Sequence, residues 1–389
     1  MPERTVPEYL QQFDEPSGYL DFARFGPVSA QVRDALVGSA SAIHHRGWDA
    51  LADLDAATGE CARTAAGLLG CAPHEIAFVG STSHGMFAAA HAFGAHTPTA
   101  HTPTGRPSRA PGTTAPGTVL ASRADFPGAL YPWLRAAGNG GLAVRLMDGP
   151  VTADAVRAHL DEGVRAVSVC AVDAATGFRA PLAAIKEVIG PQRVLVVDAV
   201  QALGAVDLEA DAADVLASGG QKWLRAGWGA ALLLVRDRVA DRLDPGLGGW
   251  SGVLDPIEAP DHPRPARPGA VAHTLTNPDG PAVAALGAGL ALVRNTGIER
   301  IAALIDGALD ALLDAARAVG ARTPGATGSG IARFRLPGAD PQAVHDALTR
   351  AGLATTLRGG WIRLSPHAST DPKTAAARLS EALHAARAA

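Results

Sequence analysis

The stretch SGGQKW, Ser218 to Trp223, decides how the rest of the chain is read. The chain has 389 residues with 34 Lys plus Arg, yet three of those are lysines: Lys186, Lys222 and Lys373. Where a positive charge is enough, this sequence uses Arg. Lys222 stands instead in a tight glycine-rich bend between two apolar runs, DVLAS (Asp214–Ser218) and GAALLLV (Gly229–Val235). A lysine kept there points to a need for the amine itself, because Lys can give up its proton and attack a carbonyl while Arg cannot. On local sequence alone a solvated loop lysine is an equal alternative.

Outward from that bend, short apolar runs alternate with amphipathic stretches. EIAFVG (Glu75–Gly80), TVLAS (Thr118–Ser122), LAVRLMD (Leu142–Asp148), RAVSVCAV (Arg165–Val172), RVLVVD (Arg193–Asp198), DVLAS and GAALLLV read as seven buried strands. Between most of them lie helical patterns: HGMFAAAHAF, GALYPWLRAA, TADAVRAHL and APLAAIKEVI. Continuous apolar strands separated by helices predict an α/β fold, a mostly parallel sheet covered on both faces. The return without a helix near residues 218–229 predicts one antiparallel member. After Gly246 the texture turns loop-like and Pro-rich, then a long helical run starts at Pro278 and breaks near Asn295–Gly297. From Ser329 onward the pattern is strand, helix, strand, strand, helix, a small C-terminal α+β unit. The expected division is an N-terminal segment (1–45), a large cofactor-binding domain (46–265), and a long helix with a small C-terminal domain (266–389). The low-complexity stretch Ala95–Gly117 reads as a surface insertion.

Composition narrows the function classes. Apolar residues make up 47% and charged residues 19%, with a formal net charge of −4. That suits a well-cored globule and argues against nucleic acid or an anionic membrane as partner. The N-terminus MPERTVPEYLQQF lacks the apolar core of a signal peptide, and the three cysteines, Cys61, Cys71 and Cys170, have no paired spacing. A cytoplasmic enzyme with reduced thiols is the expectation. The pair His44–His45 has no companion at metal-ligand spacing, so no metal is expected.

Four features then need one explanation. Asp198 ends a strand, and ligands bind at strand C-termini in parallel sheets. Gln201 follows in DAVQ, and Lys222 comes after the next strand. GSTSHGM (Gly80–Met86) follows another strand and opens a helix, where hydroxyls and free backbone N–H groups can cradle a phosphate. Pyridoxal 5'-phosphate fits all four. Its aldehyde needs a lysine, its ring nitrogen a carboxylate, its ring oxygen a neutral donor, its phosphate a helix start.

With these residues in view, the chain resembles the class V aminotransferase superfamily of fold-type I pyridoxal-phosphate enzymes, which includes cysteine desulfurases, isopenicillin N epimerase-like proteins, kynureninases and C–S lyases. The resemblance runs in order through GYLDFARFGP (Gly18–Pro27), FVGSTSHGM, AATGFRAPL (Ala174–Leu182), DAVQALG, SGGQKW, TNPDGPAVAALGAGL and WIRLSPHAST. It implies that Lys222 attaches the cofactor and serves as catalytic base. Asp198 would pair with the pyridinium nitrogen, Gln201 with the ring oxygen, Thr82 and Ser83 would hold the phosphate, and Gln221 would replace, among the cofactor-binding residues, the His that precedes the lysine. Phe126, in ADFPGALYPW, would stack on the ring where desulfurases carry His. Asn277 would reach the phosphate from a second subunit, which implies a homodimer, and Arg363 would hold the substrate carboxylate, with Arg24 beside the site.

The departures carry information. Gly219 stands where a hydroxyl phosphate contact is usual, Gln221 where His precedes the lysine, and Ala174 where an Asn lies near the ring oxygen. Phe can stack but cannot move a proton. Most telling, GLATTLRGGWIRLS has no Cys where desulfurases carry a nucleophilic one on a mobile loop. The implied activity proceeds through an external aldimine and a Cα carbanion on an amino acid. β-Elimination of the C–S lyase type on a cysteine-conjugate-like substrate in specialised metabolism is the first reading. Transamination is the second, followed by decarboxylating or epimerising variants. A non-catalytic relative of the fold comes last.

Overall fold

The computed structural model describes residues 4–94, 117–257, 264–324 and 328–388. The expected insertion at Ala95–Gly117 lies outside them except for its last residue. Seven strands form one sheet: β1 (Ile76–Val79), β2 (Thr118–Ser122), β3 (Ala143–Met147), β4 (Val164–Cys170), β5 (Val194–Asp198), β6 (Val215–Gly219) and β7 (Ala231–Val235). Their order is β1-β7-β6-β5-β4-β2-β3. β7 is antiparallel to both neighbours and the other pairings are parallel. The expected seven strands and single reversed member are all present. β1, β5, β6 and β7 are buried at every position because helices cover both faces. Edge strand β3 is only partly buried, and its Arg145 donates to Asp161 and to the His159 carbonyl, a charge that blunts the open edge.

The helices follow from capping and from one apolar face each. They are α1 (Val6–Leu10), α2 (Ala30–Arg46), α3 (Leu51–Leu69), α4 (Thr82–Gly94), α5 (Pro127–Gly138), α6 (Ala153–His159), α7 (Leu182–Ile189), α8 (Asp237–Ala240), α9 (Gly280–Thr296), α10 (Ile298–Ala318), α11 (Pro341–Arg350) and α12 (Pro372–Ala388). Ser29, Thr152, Asp279 and Asp340 cap α2, α6, α9 and α11 by accepting backbone N–H groups. One core, with Leu195, Val197 and Leu216, packs under α3, α7 and α9. The opposite one, with Trp133, Met86 and Val196, packs under α4 and α5. The expected break between the two long helices is an 89° bend at Gly297. Among the described residues no single helix is long and apolar enough to cross a membrane.

The C-terminal unit is a three-stranded antiparallel sheet, β8 (Ala332–Phe334), β9 (Thr356–Arg358) and β10 (Trp361–Leu364), in the order β8-β10-β9. Its core joins α10, α11 and α12. The opening segment GYLDFARFGP forms no full strand. It meets the small sheet through two isolated parallel bridges, Tyr19 to Ala354 and Asp21 to Ser365. Two of the three lysines have plain positions. Lys186 binds the fully buried Asp214 at 2.6 Å, and Lys373 is exposed at the start of α12.

Arg225, three residues past Lys222, ties these parts together. Its side chain is 1% exposed and forms an ion pair with Glu15. It also donates to His367 at 3.3 Å, to Ser369 at 3.2 Å and to the Pro27 carbonyl, and lies 3.9 Å from the centroid of Phe13. Burial and this guanidinium hold His367 well below the usual histidine range. A buried charge left without its partner is costly. Glu15→Ala is therefore predicted to destabilise the fold by about 3–5 kcal/mol, read as a lower urea midpoint in equilibrium unfolding. A loss under about 1 kcal/mol would mean that the pair behaves like an exposed one.

Candidate active site

The parallel register brings the chemistry to one end of the sheet. Cys170 and Asp198, the last residues of β4 and β5, are direct neighbours, and Asp198 also faces Ala217 of β6. β6 then runs into Gly219–Gly220–Gln221–Lys222. Lys222 Nζ lies 5.8 Å from the centroid of the Phe126 ring, at the N-cap of α5 on the loop that follows β2, where Phe126 is 44% exposed. Arg358, on β9, has its guanidinium carbon 6.0 Å from the same ring. Four strand ends and the small sheet thus meet around one amine.

That amine is tuned. Burial pushes Lys222 down to about 8, Asp198 opposes the shift, and Arg363 adds to it. Asp198 is pushed up, again chiefly by burial, against a hydrogen bond from Val200 N–H and the charge of Lys222. Asp198 has no cation within 4 Å among the described residues, so its buried charge awaits one. At the start of α4, the buried Nε2 of His84 also lacks a partner. Gly80 N–H donates to His84 Nδ1 at 3.2 Å, which leaves the proton on Nε2 as a free donor. An amine of lowered proton affinity, a carboxylate without a contact cation and an orphaned donor at a helix start are what pyridoxal phosphate requires, so the residues fit that group.

The start of α4 is joined to the lysine bend by close packing. Thr82 Oγ1 accepts Gly219 N–H at 2.8 Å and so joins α4 to β6. A side chain at Gly219 would place its Cβ 2.2 Å from Gln221 Oε1 and 3.0 Å from Thr82 Oγ1. The carboxamide of Gln221 thus fills the space of the missing hydroxyl, and the two departures explain each other. Ser83 is exposed on the first turn of α4, and its Oγ lies 3.4 Å from the position a Cβ would take on Gly128, at the start of α5.

Other site residues are partly committed to the fold. Gln201 donates to the Ala23 carbonyl at 2.8 Å and accepts from Trp223 Nε1 at 3.0 Å, which leaves one amide proton for a ligand. Arg363 donates to Asp21 Oδ1 at 2.8 Å and to the Ala174 carbonyl at 2.7 Å. Arg24 and Asn277 are exposed, and no hydrogen bond or ion pair among the described residues draws either one toward Lys222. Trp361 packs under Arg333 and Arg335 at 4.6 and 5.0 Å.

Three residues at the site were not singled out from sequence. Asp21 holds Arg363, and Cys170 lies at the floor beside Asp198. Asp125 sits between them and Phe126. Burial pushes its carboxyl up to about 7; hydrogen bonds from Cys170 oppose this, and the charges of Asp198 and Asp173 add to it. A lone acid between apolar residues, as in LDF and ADF, was the available signal. The Cys170 thiol is held well above its usual range by burial and by Asp125 and Asp198. Cys61 and Cys71, pushed up to about 12 and about 11, are also protonated near neutral pH.

The Aminotransferase class-V family model matches residues 24–386. A kynureninase from Deinococcus radiodurans is 32% identical over 294 residues, 72% of this chain and 66% of that protein's length. A probable cysteine desulfurase from Aeropyrum pernix is 33% identical over 142 residues, 35% of this chain and 34% of its own length. The chain thus matches under two thirds of the length of these relatives. Among solved structures, the cysteine desulfurase of Thermococcus onnurineus NA1 superposes with a TM-score of 0.83 at 19% identity, covering 99% of this chain and 100% of its own. The cystine C–S lyase C-DES, in complex with cysteine persulfide, gives 0.81 at 18% identity, covering 94% and 97%. At such identities the likeness is one of fold.

The electrostatics predict a titration. In the cofactor-free protein, acylation of Lys222, followed by mass spectrometry across pH, is expected to show a midpoint near 8, below the ordinary lysine value. Asp198→Asn removes the charge that raises it, so the midpoint moves lower. An Arg363→Met change removes a repelling charge and moves it higher. A midpoint near 10.5 would mean that the amine is not desolvated.

Proposed function

The chain belongs to the class-V aminotransferase family, and on that premise we propose that it is a pyridoxal-phosphate-dependent lyase that eliminates a sulfur substituent from Cβ of a cysteine conjugate. The cofactor, when bound, supplies an electron sink for bond breaking at the substrate Cα. Lys222, Asp198, Gln201, Gln221, Thr82 and Ser83 are the residues that would hold it, with Phe126 over the ring. Asp198 keeps a proton on the pyridine nitrogen. Lys222 Nζ, poised near neutrality, takes the proton from Cα. Arg363 orients the substrate by its carboxylate. Phe126 excludes water without moving protons. The β-substituent then leaves with the bonding pair, and the remaining 2-aminoacrylate, once released, tautomerises and is hydrolysed by solvent water to pyruvate and ammonia.

The observation that carries this reading over desulfuration is the β9–β10 hairpin. Only Gly359 and Gly360 join Arg358 to Trp361, with φ of 56° and 76°, the two-residue turn that glycine allows. Such a turn has no length for a mobile thiol-bearing loop, and Cys170, the thiol nearest Lys222, is buried and protonated. The likeness to the Deinococcus kynureninase favours a second reading, a kynurenine-type substrate whose Cβ is bonded to carbon. Transamination remains the other alternative within the family.

The site is proposed to be completed by a second copy. Large apolar side chains stand exposed, Trp48 at 84%, Ile257 at 92% and Trp228 at 71% with Phe25 stacked on it at 4.2 Å. Of these, the Trp228–Phe25 pair is an exposed aromatic patch of the kind that a partner surface covers. Asn277, exposed ahead of α9, would then reach the phosphate of the neighbouring site. A cytoplasmic setting is part of the proposal, consistent with three free thiols.

The decisive assay offers the protein L-cystine, an S-aryl cysteine and L-kynurenine. Pyruvate with ammonia from the sulfur substrates supports elimination, alanine from L-kynurenine supports the second reading, and a keto acid with an aminated acceptor supports transamination. Purified protein is expected to be yellow and Lys222→Ala colourless. The triple variant Cys61→Ala, Cys71→Ala, Cys170→Ala is expected to keep turnover; a folded, cofactor-loaded triple variant without activity would restore thiol catalysis. Mixed Lys222→Ala and Asn277→Ala chains, each inactive alone, should recover about a quarter of wild-type activity through hybrid dimers with one intact site.

A further inference from the structure

Arg363 is engaged before any substrate arrives. Its Nη2 donates to Asp21 Oδ1 at 2.8 Å and to Thr356 Oγ1 at 3.3 Å, and Nη1 donates to the Ala174 carbonyl at 2.7 Å. Thr356 in turn donates its hydroxyl to Asp21 Oδ2 at 2.8 Å. Nε is buried and has no partner. A guanidinium has five N–H donors, so two remain, one on Nε and one on Nη1. These do not lie on the same two-pronged edge. A substrate carboxylate that docks in fork geometry must therefore share Nη2 with Asp21. Asp21 and Arg363 are 4% and 9% exposed, so solvent ions screen the pair little. Asp21 is fixed relative to β10 by its bridge to Ser365 and by Phe22 N–H donating to the Ser365 carbonyl at 3.1 Å.

We propose that Asp21 is a positioning residue that sets the strength of carboxylate recognition at this site: it fixes the plane of the Arg363 guanidinium and, by sharing its charge, limits its grip on the substrate. The proposal rests on Arg363 as the substrate-carboxylate contact. Thr356 moderates the effect, since its hydroxyl occupies the second oxygen of Asp21. Limited ground-state binding leaves product free to depart and spends less binding energy before the transition state. Lys222 senses the same pair, with Arg363 lowering and Asp21 raising its proton affinity.

The test uses the cofactor-loaded protein and two probes, L-alanine and L-alaninamide, with binding followed by the visible absorption of the cofactor. Wild type is expected to favour L-alanine; equal binding of the amide would remove Arg363 as the carboxylate contact, and the proposal with it. Asp21→Asn keeps an acceptor for Nη2 but no charge. It is expected to tighten L-alanine about tenfold and leave L-alaninamide unchanged. Thr356→Val frees the second oxygen of Asp21 for Arg363 and is expected to weaken L-alanine about threefold. Opposite signs mark an electrostatic role. If wild type selects the carboxylate but both variants weaken binding, or both probes shift alike, Asp21 is structural and the proposal fails. In cofactor-free Asp21→Asn the Lys222 acylation midpoint is expected to fall; an unmoved midpoint also counts against the proposal. Should Asp21→Asn not fold, Thr356→Val decides alone, and tighter or unchanged L-alanine binding overturns the idea.

Discussion

The buried amine of Lys222 is the constraint on which the arrangement depends. An ammonium is expensive to remove from water, and this one is removed without a contact ion pair. The sheet accepts that cost by ending β5 in Asp198, one strand from the glycine bend, near enough to moderate the shift without forming a salt bridge. Had Asp198 been in contact, it would have raised the proton affinity of the amine back toward the ordinary lysine range. Had it been absent, the site would lose its one obligate anion. The parallel register of β4, β5 and β6 sets this separation, so the sheet topology and the reactivity of the lysine are one fact.

Around that centre the structure uses Arg side chains as ties. Arg225 binds the N-terminal segment, the lysine bend and the small sheet into one buried network. Arg236, capped by the Gly70 and Leu69 carbonyls, fastens the loop after α3 to the end of β7. Arg363 joins the opening segment to β10. Each guanidinium satisfies several carbonyls or carboxylates at once, which a lysine cannot do with one point charge. The division of labour seen in the sequence, many Arg and three Lys, thus has a structural meaning. Arg builds, Lys186 pairs with Asp214, and Lys222 alone of the three lysines is buried without a contact ion pair.

Much of this was legible in the sequence. Seven apolar runs became seven strands because both faces of a parallel sheet are covered, so the inner runs stay apolar almost throughout, while the edge strand β3 admits Arg145. The bend at Gly297 was visible as a break in helical periodicity. Asp198 and Lys222 stood out because strand ends and a rare residue type are local features. The roles of Asp21, Asp125 and Cys170 were not legible, since each depends on which strand lies beside which. Cys170 reads as an ordinary core thiol until β4 is set against β5. The match between Gly219 and Gln221 is equally a matter of three dimensions, because it reflects volume rather than residue type. The opening GYLDF, apolar enough for a strand, makes only two bridges because its partner is the short small sheet.

The β9–β10 turn has an evolutionary side. Two glycines between Arg358 and Trp361 close the hairpin at the rim where Arg358 approaches Phe126. The cost of lengthening a surface loop grows slowly, about 0.6 kcal/mol for each doubling. The pairing of Thr356, Leu357 and Arg358 with β10 does not depend on what lies beyond the turn. An insertion of about a dozen residues at this point, still within the usual range of loops, would leave the frame intact and bring a new nucleophile to the rim. The hairpin is therefore a place where a new side chain could be brought to the rim without a new fold.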